Sequence, residues 1–273
     1  MDGELTFLGT GTSMGVPTLG CACAVCTSPD PHDRRLRPSA LIRWTQPGEF
    51  KVTQRTVVID TGPDFREQAL RAAITRVDAV LYTHSHADHI LGLDDLRPLS
   101  FAAFRAGGPI PLYATAETTA VLEHIFSYTF SPDATYPNRA RVKLLPVAER
   151  NPIHGVDFLR VPVLHGQMQI VGYRFGSAAY LTDLNEIPEE SYPLLANLDV
   201  LIIDALRRQP HPTHSTLDNS IALVERIQPR RAFFTHMSHD LDHAATDAIL
   251  PPHIRLAYDG LQITFAIAPE GEP

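Results

Sequence analysis

Residues 83–89 read Thr83-His84-Ser85-His86-Ala87-Asp88-His89, which places three imidazoles and one carboxylate within six positions. The preceding run, Val77-Asp78-Ala79-Val80-Leu81-Tyr82, has the length and β-branched character of a buried strand. The histidines therefore follow directly on a strand. Active sites of α/β proteins commonly lie at such a position, where a strand runs out into a loop.

The spacing within this stretch indicates metal binding. His84 and His86 lie two residues apart and leave an extended chain on the same side. Asp88 and His89 are adjacent, so they point elsewhere and can serve a second centre. Because one zinc ion takes about four ligands, a cluster this dense suggests two metal ions that share a site. A histidine-rich surface loop and a catalytic histidine pair without metal are the alternatives.

The composition narrows the class of protein. The chain has 273 residues, of which 44% are hydrophobic, and no convincing boundary divides it, so we predict a single domain over residues 1–273. The net charge of −8 and the lack of a basic run argue against a general nucleic-acid binder. Single arginines could still hold one phosphate; they include Arg43, Arg66, Arg97 and Arg105. With no signal-peptide pattern and no long apolar run, we expect a cytoplasmic protein.

Apolar periodicity predicts strands that alternate with helices. Strands are predicted at 78–82, 112–114, 156–163, 171–175, 178–181, 199–204 and 231–235. Helices are predicted from Pro63 to Ile74, from about Ile90, and at 116–127 and 217–227. By itself the pattern predicts an α/β, sheet-rich fold.

Several motifs together resemble one known family. His84-x-His86-x-Asp88-His89 is the signature of the metallo-β-lactamase superfamily, and the resemblance extends from about residue 5 to residue 265. It implies a four-layer αββα sandwich and two active-site metal ions, zinc or manganese. A narrower resemblance, to the cyclic-phosphate phosphodiesterase branch associated with the carbon–phosphorus lyase pathway, rests on four runs. These are Leu8–Pro17, Gly20–Cys26, Gly92–Arg97 and Thr235–His239.

The resemblance also implies a set of metal ligands. One metal ion would be bound by His84, His86 and His165, the other by Asp88, His89 and His236, with Asp183 bridging the two. Neutral imidazoles and carboxylates suit zinc or manganese, and a carboxylate can span two cations. Asp60 ends a β-branched run and would orient a ligand histidine through its second ring nitrogen. The alternative for Asp60 is an ordinary turn carboxylate.

All three cysteines lie within six residues, as Cys21-x-Cys23-x-x-Cys26. In a cytosolic chain this clustering indicates metal binding before it indicates a disulfide. Three thiolates leave a tetrahedral zinc ion one ligand short. The resemblance supplies His239 as the fourth ligand, and hence one structural zinc ion. A redox-active cysteine cluster and three buried small residues are the alternatives.

The proton donor is assigned by resemblance as well. His214 precedes the helix at 217–227 and resembles the histidine that the phosphodiesterase and ribonuclease Z branches place beside the scissile phosphate. Neither metal ion needs it as a ligand, so it is free to act as a general acid. His211, flanked by prolines, is the weaker candidate for this role. Asp88 is assigned as a metal ligand and also, together with His214, as a catalytic residue.

The leading interpretation is a dinuclear metal-dependent phosphodiesterase. Its substrate would be a small cyclic phosphate such as 5-phosphoribosyl 1,2-cyclic phosphate, attacked by hydroxide held between the two metal ions. We expect segments 97–110 and 128–140 to form the specificity loops. We expect no membrane or nucleic-acid partner; a homodimer is one option for assembly. The rival functions are a ribonuclease Z-like or pyrroloquinoline-quinone synthesis protein B-like hydrolase, and a non-catalytic metal-binding module; a β-lactamase fits less well.

Overall fold

The computed structural model describes residues 1–48, 52–132 and 136–267. These residues form two seven-stranded sheets. The first sheet contains β1 (Asp2–Gly9), β2 (Ser39–Gln46), β3 (Thr53–Ile59), β4 (Ala79–Leu81), β5 (Ile110–Ala114), β6 (Val142–Pro146) and β14 (Gln262–Ala266). The second contains β7 (Arg150–Ile153), β8 (Val156–His165), β9 (Met168–Phe175), β10 (Ala178–Leu181), β11 (Val200–Asp204), β12 (Arg231–Thr235) and β13 (Ile254–Leu256).

The helices are α1 (Phe65–Arg71), α2 (Ala87–Ile90), α3 (Arg97–Ala106), α4 (Ala116–Ile125), α5 (Ser127–Phe130), α6 (Leu217–Ile227) and α7 (His243–Asp247). Short 3₁₀ turns cover Pro31–Asp33, Leu93–Leu96 and Glu189–Leu195. Within the described residues, no helix is both long enough and apolar enough to span a bilayer.

The strand order explains where loops gather. The first sheet runs β14-β1-β2-β3-β4-β5-β6 and the second runs β13-β12-β11-β10-β9-β8-β7. Strands β3 to β6 are parallel, and so are β10 to β13. Strand β8 is antiparallel to β9, which is antiparallel to β10, so β8 and β10 share a direction. The segments after β3 and β4 gather at one edge of the first sheet, and the ends of β8, β10, β11 and β12 at one edge of the second.

Successive residues of the first sheet face two different layers. Val57 and Ile59 pack against the second sheet together with Trp44 and Phe158, whereas Val58 packs against the helices. A sheet that is buried on both faces needs a continuous apolar run rather than an alternating one. The last three residues of β3, 57–59, carry this pattern.

The second sheet repeats the arrangement. Ile202 faces the first sheet, and its neighbours Leu201 and Ile203 pack on the other side with Val224 of α6. The amphipathic helix α6 begins at Thr216, whose side chain accepts a hydrogen bond from the Asn219 amide. Helices outside two stacked sheets make four layers, so the predicted αββα sandwich is confirmed.

Three local predictions need correction. The helix predicted from Pro63 to Ile74 is shorter, because Ala73 adopts a left-handed φ of 48° and the Ile74 amide bonds back to Ala69. The helix predicted from about Ile90 instead ends there as α2. Segment 97–110, expected as a specificity loop, is mostly helix α3, with proline in the first turn where its missing N–H costs nothing. Of segment 128–140, residues 133–135 lie outside the described residues.

Candidate metal centre

Three strands end in residues with left-handed backbone conformation. Asp60 follows β3, Asp183 follows β10 and His236 follows β12, with φ values of 61°, 56° and 58°. A residue with a Cβ rarely adopts this conformation, and it costs roughly 1–3 kcal/mol where the surrounding structure enforces it. The sharp turn directs each side chain into the space between the two sheet edges. Such outliers concentrate at functional sites.

The seven side chains expected to bind metal come together as two groups. The first group contains His84, His86, His165 and Asp183, and the second contains Asp88, His89, His236 and Asp183. In each group one potential ligand atom per residue lies within 4.8 Å of the others. Asp183 belongs to both groups, which is the position a bridging carboxylate requires.

Distances around Asp183 show how the groups meet. Its Oδ1 lies 3.3 Å from Nε2 of His89, and its Oδ2 lies 3.2 Å from Nε2 of His236. On the side of the first group, Oδ2 is 3.8 Å from Nε2 of His84. Asp88 Oδ2 completes the second group at 3.3 Å from His89 Nε2 and 3.6 Å from His236 Nε2.

Two of the histidines are oriented through their Nδ1 atoms. His89 Nδ1 lies 2.7 Å from Oδ2 of Asp60, and His165 Nδ1 donates to the Thr213 carbonyl at 2.8 Å. Asp60 also accepts from both the amide and the hydroxyl of Thr83 at 2.8 Å. A hydrogen bond at one ring nitrogen leaves the other ring nitrogen free to bind a metal. Asp60 thus has the geometry expected from the sequence for a residue that orients a ligand.

Several buried polar atoms at the centre have no hydrogen-bond partner among the described residues. They are Nε2 of His84, Nε2 of His89, Nε2 of His236 and Oδ2 of Asp88. An unsatisfied buried polar atom costs free energy, and proteins rarely leave several together. Nitrogen and oxygen donors that converge in this way fit divalent cations such as zinc or manganese. The donor set therefore fits the metal centre that the fold implies.

Burial and charge divide the histidines into two classes. Burial lowers the pKa of His84 well below its usual value and lowers the pKa of His165 to about 4. Burial also opposes protonation of His89 and His236, but the carboxylates of Asp183 and Asp88 outweigh it. They raise the pKa of His89 well above its usual value and the pKa of His236 to about 9. In the metal-free protein, the second group therefore holds protons where a metal ion would bind.

His214 stands beside this centre. Its Nδ1 lies 2.8 Å from Oδ2 of the fully buried Asp204. Its ring stacks on the His236 ring with centroids 4.7 Å apart and lies 4.5 Å from the His165 ring. His211 is more remote: its Nδ1 accepts from the Thr213 amide at 3.3 Å.

Asp204 is a site residue that the sequence reasoning placed in a strand but gave no role. Burial raises the pKa of Asp204, although the hydrogen bond with His214 acts in the opposite direction and lowers it. Its Oδ1 lies 3.9 Å from Nδ1 of His236, so one carboxylate faces both histidines. The available signal was its position, since Asp60, Asp183 and Asp204 all end apolar strand-like runs.

The three cysteines converge on one histidine. Nδ1 of His239 lies 3.2, 3.6 and 3.3 Å from the sulfurs of Cys21, Cys23 and Cys26. A tetrahedral zinc ion with Zn–S of about 2.3 Å and Zn–N of about 2.0 Å separates sulfur and nitrogen by about 3.5 Å. The spacing therefore fits one zinc ion with three sulfur ligands and one nitrogen ligand.

Backbone contacts tie this cysteine segment to the metal centre. Gly11 forms a parallel bridge with Met237, the residue between His236 and the segment that carries His239. The buried guanidinium of Arg35 donates to the carbonyls of Ser238 and Leu241 at 2.7 and 2.6 Å. One short segment, residues 236–239, thus carries a candidate ligand of each metal site.

Two glycines permit the metal-binding segment to approach its neighbour. A Cβ on Gly62 would lie 2.0 Å from the Asp88 carbonyl oxygen, and a Cβ on Gly92 would lie 2.0 Å from the Gly62 carbonyl oxygen. The Thr61 amide donates to the His89 carbonyl at 2.8 Å in the same contact. Any side chain here would push the Asp88–His89 segment away. Sequence reasoning did not identify this role.

Comparisons with known proteins identify the family and the fold. Residues 55–237 match the family model described as "Beta-lactamase superfamily domain". A solved structure of a diphosphatase from the PhnP family is 53% identical, covers 98% of both chains and superposes with a TM-score of 0.89. Zinc-bound PqqB from Methylobacterium extorquens shares the fold at 20% identity and a TM-score of 0.70, over 95% of this chain and 99% of that one.

A curated relative is longer than this chain. An octanoyltransferase of Porphyromonas gingivalis is 39% identical over 259 residues, which are 93% of this chain and 50% of that protein. The chain therefore spans about half the length of this curated relative. Since the family model covers more than half of the sequence and the two sheets show its architecture, the chain belongs to the β-lactamase superfamily and has the metallo-β-lactamase fold.

Proposed function

We propose that this protein is a dinuclear metal-dependent phosphodiesterase acting on a small cyclic phosphate ester, of the type of 5-phosphoribosyl 1,2-cyclic phosphate. One observation carries the proposal. The partly exposed His214, paired with the buried Asp204, lies against a ligand candidate of each metal group, His165 and His236. The 53% identity to a PhnP-family diphosphatase favours phosphoryl chemistry.

In this proposal each of the two groups of side chains, which share Asp183, would hold one divalent cation. When bound, such ions supply Lewis-acid stabilisation of charge on the phosphoryl group and lower the pKa of an attacking water. Zinc or manganese fits the donor atoms. A third ion, a structural zinc, would be held by the cysteines and His239 and would fix the segment that carries His236.

His214 acts on the leaving group. Its Nδ1 is engaged by Asp204, so Nε2 is the atom that presents a proton to the departing sugar oxygen. The negative charge of Asp204 stabilises the protonated imidazole and holds the ring against rotation. His214 is thus the catalytic acid, and Asp204 is a positioning residue. Nothing comparable holds His211, whose Nδ1 faces a backbone amide.

The test is a substrate panel with protein loaded with defined metal ions. It contains 5-phosphoribosyl 1,2-cyclic phosphate, a cyclic nucleotide, bis(p-nitrophenyl) phosphate and a tRNA precursor. We expect turnover of the cyclic sugar phosphate with the highest kcat/KM, loss of activity with a chelator, and no cleavage of the tRNA precursor. Efficient cleavage of RNA, or no phosphodiester turnover at any metal loading, would contradict the proposal.

A second candidate substrate is a small diphosphate ester, because the relative that is 53% identical is a diphosphatase. Cleavage of a P–O–P bond releases a phosphate group, a better leaving group than an alkoxide. A diphosphate ester in the same panel separates the two candidates by kcat/KM. A diphosphate ester should also depend far less on His214, since its leaving group needs little protonation.

A further inference from the structure

A cavity of about 420 Å³ lies at the end of the first sheet that is remote from the metal centre. Its walls come from residues 75–78, which precede β4, from residues 107–111, which lead into β5, and from helix α3. The candidate metal ligands of this sheet follow the carboxyl end of β4 instead. The body of the parallel sheet therefore separates the cavity from the metal centre.

One wall of the cavity is the apolar face of α3. Leu99, Ala102, Ala103 and Ala106 line it at the spacing of one helix face. Three of these four side chains are single methyl groups, so the helix leaves room that a larger residue would fill. Small-molecule sites are typically cavities of about 300–1,000 Å³ with mainly apolar walls and a few polar groups.

The polar end of the cavity carries excess positive charge. The buried carboxylate of Asp78 accepts from Nε and Nη2 of Arg76 at 2.8 and 2.5 Å and from Nη1 of Arg55 at 3.3 Å. Two guanidinium groups thus surround one carboxylate, and His154 Nε2 lies 3.4 Å from the same oxygen. Arg76, Asp78 and His154 all line the cavity. Among the described residues, Nη1 of Arg76 has no hydrogen-bond partner.

We propose that this cavity binds a carboxylate that carries an apolar chain. The chain would lie along the methyl groups of α3, and the carboxylate would meet the free edge of the Arg76 guanidinium. An uncharged apolar ligand would form no ion pair with Arg76. A small hydrophilic anion would leave the apolar wall of α3 exposed to water. This site is separate from the proposed phosphodiesterase centre and does not depend on it.

The first test is calorimetric titration of the metal-loaded protein with saturated carboxylates from butanoate to octanoate. Burying one methylene group contributes about 0.8 kcal/mol, so Kd should fall about three- to fourfold per added carbon. 1-Octanol, which has the chain but no charge, should bind at least about tenfold more weakly than octanoate. Equal binding of 1-octanol, or no one-to-one binding of octanoate, overturns the proposal.

Two variants locate the site. Ala103→Leu fills the apolar wall without changing charge, and Arg76→Gln removes the charge; each should weaken octanoate binding at least about tenfold. Arg105→Gln is the matched control, since Arg105 is exposed on the same helix and does not line the cavity. If Arg76→Gln misfolds by circular dichroism, Ala103→Leu alone decides. Unchanged binding by Ala103→Leu contradicts the proposal.

A carboxylate could also bind the metal ions directly. The control is therefore the same titration in the presence of saturating inorganic phosphate, which competes at the metal centre. Octanoate binding should persist, and hydrolysis of bis(p-nitrophenyl) phosphate should be the same in Ala103→Leu as in the unaltered protein. Loss of octanoate binding in phosphate would place the carboxylate at the metal centre and overturn the proposal, whatever the phosphodiesterase assay shows.

Discussion

Nδ1 of His214 lies 2.8 Å from Oδ2 of Asp204, a carboxylate that is fully buried at the end of β11. The same imidazole stacks at 4.7 Å on the ring of His236, a candidate metal ligand. A histidine held by a buried carboxylate has one ring nitrogen fixed and the other available for proton transfer. In the proposed mechanism this pair would join the metal centre to acid catalysis.

Replacing His214 with alanine should remove proton donation and leave the metal content unchanged. General-acid catalysis contributes roughly 10²–10⁴ in rate, so we expect His214→Ala to lower kcat at least about 100-fold on an ester with an alkoxide leaving group. The loss should be much smaller for p-nitrophenolate, which departs without a proton. Steady-state kinetics on both substrates check this. An equal loss for both leaving groups would mean that His214 positions the phosphate instead.

Asp204→Asn should weaken catalysis through His214. Asparagine keeps the shape but loses the negative charge that stabilises the protonated imidazole, and removal of such a partner typically costs about 10–100-fold. We expect kcat for the alkoxide ester to fall by this factor at unchanged KM, and kcat for the p-nitrophenolate ester to change much less, because the imidazole is no longer held in place to donate its proton. Asp218→Asn, exposed on α6, is the control and should behave like the unaltered protein. An equal loss of kcat on both esters would contradict the positioning role.

Gly62→Ala should displace the metal-binding segment. The added methyl group would lie 2.0 Å from the Asp88 carbonyl oxygen, so the backbone must move. Such overpacking typically costs about 1–3 kcal/mol, and we expect a lower Tm and reduced metal content. Gly107→Ala is the control, because its methyl group would meet nothing within 4 Å. Thermal unfolding and metal analysis measure both effects; equal behaviour of the two variants would refute the contact.

Cys23→Ser should remove one zinc ion and leave the other metal sites filled. The sulfur of Cys23 lies 3.6 Å from His239 Nδ1, within the expected tetrahedron. Loss of a structural metal that ties two segments should cost at least about 2 kcal/mol, which lowers Tm by roughly 4–8 °C in a chain of this size. Elemental analysis measures the zinc content, and scanning calorimetry measures Tm. Unchanged zinc content would show that the cysteine cluster does not bind zinc.

Metal uptake should release protons at neutral pH. His236, with a pKa of about 9, and His89, with a pKa well above its usual value, are protonated in the metal-free protein at pH 7. His84 and His165, with lowered pKa values, are already neutral there. A metal ion that binds the second group must displace these protons, so its affinity for that group should rise steeply between pH 6 and 8.

The measurement is a zinc titration of chelator-treated protein in a weakly buffered solution with a pH indicator. We expect about two protons to be released as the second group fills. His236→Gln should lower the release by about one proton, because one of the two protonated imidazoles is gone. Proton release that is equal for both metal equivalents would show that the two groups do not differ in protonation.

Much of the fold follows from local pattern. The predicted boundaries of β10, α6 and β12 match the structure, because apolar spacing and a capping residue are properties of neighbouring residues. The end of α1 was less predictable, since it depends on the left-handed turn at Ala73. Segment 97–110 was predicted as a loop but is mostly helix α3, whose alanines favour the helical conformation.

The sequence by itself determined the chemistry of the site. The cluster at residues 83–89 and the three cysteines supply the nitrogen, oxygen and sulfur donor atoms. These donors can be identified from neighbouring residues of the sequence. Only the tertiary structure decided their partners: His165 finds the Thr213 carbonyl 48 residues away, and Asp183 reaches both groups of ligands. These contacts depend on strand order and on which loops meet at a sheet edge. Because that order arises from packing of the whole chain, no local spacing encodes the Asp204–His214 pair or the cavity under α3.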